Sequence, residues 1–310
     1  MKRIIGLIGI IVLIIIWCFF PREEEAQEIF QAMDTIVVIN AKGVGAKEAV
    51  SAAVAHARAL DERLSAYAEG SDVWKINNGS ESWGSDDTVG VIKRSIYFSE
   101  LSGGVFDVTI MPLVKLWKET ENPTDEEIAA AKNLVDYRRL QENSALPPGM
   151  AIDLGGIAKG FMADEIAVIL RENGIDSAII NAGGNILVMG DKPCIVGIQA
   201  PYAQEDQNMG TVTVRNKTVV TSGFYSRGAH IIDPRTGNPV GEDILSATVI
   251  CDVSMDADAL STILFILGEA GFQILEGYGA EGILIDKYNR VKTTAGVDLT
   301  ITDSNYIMNN

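Results

Sequence analysis

Asp258 and Thr262 stand four residues apart in Ser254-Met-Asp-Ala-Asp-Ala-Leu-Ser-Thr262, so a helix here sets a carboxylate and a hydroxyl side by side on one face. Hard oxygen donors of that kind suit Mg²⁺; acidic residues also gather at helix starts for electrostatic reasons alone. A second stretch, Ala151-Ile-Asp-Leu-Gly-Gly-Ile-Ala-Lys-Gly160, is an apolar run that stops at paired glycines and restarts as a helix from Gly160 to Leu170. A strand entering a glycine turn at a helix start leaves backbone N–H groups facing an incoming anion, and Lys159 adds a positive charge there. That chemistry holds a phosphate, although the same residues also make an ordinary tight turn between a strand and an amphipathic helix. The chain has neither the Gly-Lys-Ser/Thr of nucleoside-triphosphate loops nor a Gly-x-Gly-x-x-Gly. His230, one of two histidines, lies in a turn-rich segment of hydroxyls with an arginine, Thr221 to Pro239. Its imidazole can serve as an acid or base near neutral pH, and the turn chemistry of Asp233-Pro-Arg-Thr-Gly237 can also be purely structural. Asp107, inside an otherwise apolar run, needs a partner if it is buried.

The elements that must position these groups follow from periodicity. Gln31 to Asn40 reads as a strand from its β-branched run, and Ala46 to Leu64 as a long helix with apolar positions at Val50, Val54, Ala57, Leu60 and Leu64. Gly43-Val-Gly45 between them reads as a hairpin-like turn, and His56 as a surface or internally satisfied histidine. A polar loop leads to a short turn of helix before Asn78, and Ile92 to Leu101 is helical by pattern. Ser102-Gly-Gly104 stops that helix and Pro112 opens the next element. Residues 123–148 turn polar and helix-like, as a peripheral insertion would. Ser177 to Gly190 reads as two strands around Gly183-Gly184. Cys194 to Gln199, Gly210 to Val214 and Lys217 to Ser222 read as consecutive strands, and Leu245 to Asp252 as another that enters the helix Ser254 to Gly268. Helices and mostly antiparallel strands in mixed order predict an α+β domain.

The chain has 310 residues, 47% of them hydrophobic, and a net charge of −17. It is long enough for a large core, and its acidity argues against nucleic acid and anionic lipid surfaces as partners of the soluble part. Lys2-Arg3 precedes an apolar run from Ile4 to Phe20, which is followed by Pro21-Arg22-Glu23-Glu24-Glu25. The run is at the lower limit for spanning a bilayer, and the positive flank stays cytoplasmic, so residues 1–22 are expected to anchor an exported domain, residues 23–310. Cys18 invites a lipoprotein reading, which Trp17 before it disfavours; an uncleaved helix and lipidation both leave the domain outside, on the membrane. Cys194 and Cys251 are the only other cysteines, too few for a cysteine-based metal site.

Met33-Asp34-Thr35, Gly104-Val-Phe-Asp107, Asp153-Leu-Gly-Gly-Ile-Ala-Lys-Gly160, Asn181-Ala-Gly-Gly-Asn185, Thr221-Ser-Gly223, His230-Ile-Ile-Asp-Pro-Arg-Thr-Gly237 and Asp256-Ala-Asp-Ala-Leu-Ser-Thr262, taken in order, resemble the ApbE family of FAD:protein FMN transferases. The resemblance covers nearly everything after the N-terminal run. It implies a two-lobed α+β domain with an active-site cleft, and a Mg²⁺-dependent enzyme that splits FAD, transfers the FMN half to a threonine or serine hydroxyl of an acceptor flavoprotein, and releases AMP. By the same resemblance the metal would be held by the Gly156 carbonyl with Asp258 and Thr262. FAD would contact Met33, Tyr67, Phe106, Asp107, Asp153, Lys159, His230 and Ile231. Lys159 would steady the leaving phosphate, and His230 would take the hydroxyl proton or orient the phosphate. Ser226-Arg227-Gly228 departs from the aromatic or acidic residues common at that place, which leaves that wall of the pocket open. Water as acceptor, giving an FAD pyrophosphatase, and a non-catalytic flavin-binding surface lipoprotein are the competing expectations.

Overall fold

The computed structural model describes residues 23–201, 207–223 and 231–309. The expected N-terminal anchor and Cys18 lie outside the described residues. The chain opens with a hairpin, β1 (Glu24–Ala32) and β2 (Thr35–Gly43), paired from Ala32↔Thr35 to Glu24↔Gly43. Its two-residue turn is Met33-Asp34, with φ of 51° and 55°, both in the left-handed region. Such primed turns match the twist of a hairpin but usually carry Asn-Gly or Asp-Gly. Met-Asp sends no such signal, so the expected single strand from Gln31 to Asn40 is in fact the end of β1, the turn and most of β2. Glu23-Glu24-Glu25, read as the flank of an anchor, leads into β1.

The remaining large-sheet strands are β3 (Ser177–Ala182), β4 (Asn185–Met189), β7 (Thr218–Gly223), β8 (Ile244–Cys251), β9 (Glu281–Asp286), β10 (Arg290–Thr293) and β12 (Ile307–Met308). With β1 and β2 they form a nine-stranded sheet in the order β1-β2-β3-β4-β7-β8-β9-β10-β12, antiparallel except at β10 and β12. A second sheet, in the order β11-β6-β5, contains β5 (Cys194–Gln199), β6 (Asn208–Val214) and β11 (Leu299–Ile301). Val188, Val219, Ile283 and Ile285 of the large sheet meet Val196, Ile198, Val212 and Val214 of the small one in a separate core. The fold is α+β and mostly antiparallel, as the strand-rich second half of the sequence predicts. The chain beyond Gly268, for which periodicity gave no element, supplies four of the strands.

The main core lies on the other face of the large sheet, beneath helices. Helix α1 (Ala46–Leu64) buries Ala46, Ala49, Val50, Ala53, Ala57, Leu60 and Leu64, the one-sided stripe of a 3.6-residue period. Gly43-Val-Gly45 joins β2 to α1 and does not close a hairpin; Gly45 supplies the left-handed residue before the helix. Next come α2 (Asp72–Asn77), α3 (Asp86–Leu101), α4 (Met111–Glu119) and α5 (Asp125–Lys132). Helix α5 starts with a full capping box between Thr124 and Glu127. The site is carried by α6 (Ala158–Glu172) and α7 (Ser254–Leu267), which pack on each other and on the sheet.

Ala151 to Leu154 is not a strand of either sheet. Ile152 and Leu154 are buried, which explains the strand-like pattern, but the backbone of Ile152 is held by a side chain. Asn77 Nδ2 donates to its carbonyl (2.9 Å) and its N–H donates to Asn77 Oδ1 (2.7 Å), while the N–H of Asp153 donates to the carbonyl of Val108 (2.9 Å). Among the described residues one stretch, Ser254–Tyr278, is long and apolar enough to cross a membrane by length and composition. Its first part is α7, with Ala257, Leu260, Ile263, Leu264 and Phe265 buried in the core, and it breaks at Gly268 before the short helix α8 (Phe272–Tyr278).

Gly160 is where α6 and α7 touch backbone to backbone. A Cβ there would lie 2.2 Å from the carbonyl oxygen of Ser254 and 2.7 Å from Cα of Met255. Gly160→Ala therefore cannot be absorbed by a side-chain rotation. We expect it to cost about 3 kcal/mol or more in urea unfolding, the upper range for overpacking, whereas Gly90→Ala in α3, with nothing within 4 Å of the new carbon, stabilises or is neutral.

Candidate active site

Neither α6 nor α7 caps its own start. Their N-cap residues, Ile157 and Val253, carry no side chain able to accept a hydrogen bond. Each start is instead capped by an aspartate of the other helix. Asp164, on α6, accepts from the N–H groups of Ser254 (2.9 Å) and Met255 (2.8 Å) at the head of α7. Asp258, on α7, accepts from the N–H of Gly160 (3.0 Å) in the first turn of α6. Helix starts leave such N–H groups without partners and carry partial positive charge, so both carboxylates are well placed. The helix start expected to receive a phosphate thus receives Asp258 at Gly160.

The Asp258 side chain is only 5% exposed, and Lys159 Nζ lies 3.3 and 3.4 Å from its two oxygens. The same ammonium donates to the carbonyl of Gly155 (3.1 Å). Thr262 follows one turn later, its hydroxyl donating to the carbonyl of Asp258 (3.4 Å). Gly156 is close by, since a Cβ built on it would be 3.7 Å from Thr262 Oγ1 and 3.0 Å from the Phe106 ring. Gly156, Asp258, Thr262 and Lys159 are therefore gathered in one place. Among the described residues no cluster of three or more His, Cys, Asp or Glu could hold a metal. The donors gathered here are the Asp258 carboxylate, the Thr262 hydroxyl and the Gly155 carbonyl, with Gly156 beside them. A positive group already sits among them in the form of the Lys159 ammonium, so the set fits a hard cation that keeps several ligands from water or substrate.

A buried network fixes the turn of α7 that carries Asp258. Arg94, on α3, makes two parallel bonds to Asp256 (2.7 Å each), and the hydroxyl of Tyr278 donates to the same carboxylate. Asp256 is 2% exposed; burial, and then the bond to and charge of Asp256, push the Tyr278 hydroxyl well above its ordinary value. Ser261 donates to the carbonyl of Asp258 (2.8 Å) and pairs with Ser222 of β7 (2.7 Å), and Thr218 donates to Ser254 (3.2 Å). Arg94 and Asp164 escaped the sequence reading. Their partners lie more than 85 residues away, and neither residue stands in a pattern that local periodicity would single out.

The residues expected to touch FAD divide into groups. Tyr67 is raised above its ordinary value by burial and by the negative charges of Asp153 and Asp34. Lys118, from α4, stands 4.5 Å over the Tyr67 ring and its charge also reaches Asp153; sequence reasoning missed it. Burial pushes Asp153 up, opposed by the Gly155 N–H (2.8 Å) and by Lys159 and Lys118. Met33, on the hairpin turn, donates its N–H to Asp61 (2.9 Å), and a groove of about 580 Å³ lined by Gln31, Asp34, Thr35 and Asp61 opens beside it. Phe106 is buried against Gly156. Asp107 has the partners its burial demands: the N–H (2.8 Å) and hydroxyl (2.7 Å) of Thr109 and the N–H of Tyr137 (3.1 Å). The bond from Tyr137 ties residues 123–148 to the loop that carries Asp107. Ile231 is half-buried against the main core, its carbonyl bonded to the N–H of Val240 (2.9 Å). His230 lies outside the described residues. His56 is satisfied by Glu165 (3.3 Å), and Cys194 and Cys251 are both free.

The ApbE family model matches residues 33–284. The chain belongs to the ApbE family. It is 32% identical over 257 residues to the FAD:protein FMN transferase of Treponema pallidum, covering 70% of this chain and 71% of that one. The FAD:protein FMN transferase of Vibrio cholerae is 31% identical over 235 residues, with 68% and 70% covered. Among solved structures, the flavin transferase ApbE from Vibrio cholerae superposes with a TM-score of 0.77 at 26% identity, covering 91% of this chain and 98% of that one. The ApbE protein from Thermotoga maritima gives 0.76 at 26%, with 90% and 97% covered.

Asp164 gives the crossing a pH signature. Burial raises its carboxyl from 3.8 to about 6, against the two N–H groups of α7 that lower it. The folded chain therefore holds this proton more tightly than the unfolded one. The stability from this group is fully present below the unfolded value of 3.8 and is lost as pH rises through about 6. In urea unfolding, the wild-type free energy minus that of Asp164→Asn is expected to fall by roughly 2–3 kcal/mol from pH 4 to pH 7; a difference that is flat across this range contradicts the assignment.

Proposed function

We propose that this chain is an FAD:protein FMN transferase that cleaves FAD at its pyrophosphate and places FMN on a threonine or serine hydroxyl of an acceptor flavoprotein. The observation that carries the reading is the gathering of Lys159, the Gly155-Gly156 turn, Asp258 and Thr262 at the α6–α7 crossing, in a chain of the ApbE family. Asp258, Thr262 and the Gly156 carbonyl would hold Mg²⁺. When bound, Mg²⁺ supplies neutralisation of the charge that develops on the phosphate oxygens. The acceptor hydroxyl oxygen forms a bond to the FMN phosphorus while the bond from that phosphorus to the bridging oxygen breaks, and AMP leaves with that oxygen. The hydroxyl proton goes to a base, the role we assign to His230. Lys159 offers its ammonium to the departing phosphate.

Asp34, Tyr67, Lys118 and Asp153 form the neighbouring surface on which we place the rest of FAD, with Met33, Phe106, Asp107 and Ile231 lining it. Lys118 over Tyr67 supports that choice, because a cation beside an aromatic face suits a ligand that is both anionic and planar. We further propose a two-lobed domain with the cleft at this surface, held at the exported side of the membrane by residues 1–22, on the strength of Lys2-Arg3 followed by the apolar run to Phe20.

The test incubates the full chain, in detergent, with FAD, Mg²⁺ and an FMN-binding domain bearing a candidate acceptor threonine, and takes the acceptor's intact mass. A gain of FMN minus water is expected, with AMP in equal amount. Asp258→Ala should slow transfer by about 10²-fold or more. Free FMN and AMP with an unmodified acceptor would instead make water the acceptor, and retained FAD with no cleavage would leave a flavin-binding protein. His230→Ala with full activity across pH would remove the base role.

A further inference from the structure

Lys159 occupies an unusual position for a substrate-binding lysine. Its ammonium sits astride both oxygens of Asp258, at 3.3 and 3.4 Å, with a third bond to the Gly155 carbonyl at 3.1 Å. Asp258 and Lys159 side chains are 5% and 21% exposed, so water screens this pair far less than a surface pair. The ammonium thus lies on the carboxylate assigned above to the metal. We propose that Lys159 and the divalent cation compete for Asp258, and that FAD removes the competition by offering the ammonium its pyrophosphate. The inference rests on the metal-site reading and adds to it a coupling between metal and substrate.

One oxygen of Asp258 already accepts from the Gly160 N–H at 3.0 Å, so the carboxylate has few free positions left. A divalent cation brought to that carboxylate meets a positive charge at contact range in a shielded setting, and one of the two must move. Lysine can move: it is a compact charge on a flexible stem, attached here at the second residue of α6, and it can swing without shifting the helix. The pyrophosphate of FAD gives it a new anion to pair with. Linkage then makes the effect reciprocal, so FAD strengthens metal binding by the same factor as metal strengthens FAD binding.

This role predicts an opposite sign from a structural one. If Lys159 only steadied the Gly155-Gly156 turn through its bond to Gly155, its loss would loosen the turn and weaken metal binding. If it competes, its loss strengthens metal binding while slowing transfer.

The experiment titrates Mn²⁺ alone into the full chain without FAD and follows the loss of the free aqueous Mn²⁺ signal by electron paramagnetic resonance. Lys159→Met is expected to bind Mn²⁺ about ten-fold more tightly than wild type, within the usual range for coupled sites. Lys159→Arg, which keeps the charge, should stay near wild type, and Lys159→Gln provides a second neutral variant should the methionine fail to fold. Unchanged or weaker Mn²⁺ binding in a folded neutral variant overturns the competition. Asp258→Ala reports separately on the site: if it binds Mn²⁺ as wild type does, the metal-site reading itself falls, and the proposal with it.

Discussion

The crossing of α6 and α7 at Gly160 is the constraint on which the rest of the site depends. Two helices whose first turns lack side-chain caps are brought so close that each borrows an aspartate from the other. That exchange is only open to backbones in contact, and contact is only open to glycine at position 160. The hydroxyl pairs beneath α7 serve the same end. Ser222 with Ser261 and Thr218 with Ser254 are small, mutually satisfied groups, and they let the helix lie close to β7 where leucines would hold it away. Asp258 is therefore fixed from three directions, by α6, by the sheet, and by the Arg94–Asp256–Tyr278 network across from α3.

A chain with a net charge of −17 that handles a dianionic pyrophosphate must concentrate its few cations. It does so by using carboxylates to hold them. Lys159 is held by Asp258, and Lys118 is drawn toward Asp153 and the Tyr67 ring. These acids do not act as a ready-made metal cage, because they are dispersed singly among backbone groups. Asp107 and Asp164 spend their charge on N–H groups, organising loops and helix starts rather than ligands.

Much of this was legible in the sequence where function and local pattern coincide. The i, i+4 pair Asp258 and Thr262, the glycine turn with Lys159, and the burial of Asp107 all follow from residue type and spacing. The strands from Ser177 to Cys251 were legible too, because β-branched runs between turn residues state their own period; those beyond Gly268 were not. What escaped was set by long-range geometry. The hairpin turn at Met33-Asp34 puts a methionine in the left-handed region and has no glycine, so its chemistry gave no cue. Ala151 to Leu154 carries a strand's burial but takes its hydrogen bonds from the side chain of Asn77, a partner that alternation does not reveal. Arg94, Lys118 and Asp164 are single charges on helices, indistinguishable from solvated ones until the helices pack.

A site with one carboxylate, one hydroxyl and turn carbonyls has a thermodynamic consequence of its own. If Asp258, Thr262 and the Gly156 carbonyl hold Mg²⁺ as proposed, half of the ion's octahedral positions would be left to water or substrate, and Mg²⁺ gives up water reluctantly. The protein alone would then have little to offer the ion, and the substrate's phosphate oxygens would supply what is missing. A cluster of three acids would bind the ion tightly without substrate, but it would also place extra negative charge where a pyrophosphate must enter. A single carboxylate among these donors, paired with Lys159, would present less negative charge to the incoming anion. The buried Asp256 is likewise matched by Arg94 and Tyr278: two residues from Asp258, an unpaired second charge would repel the anion proposed to bind there.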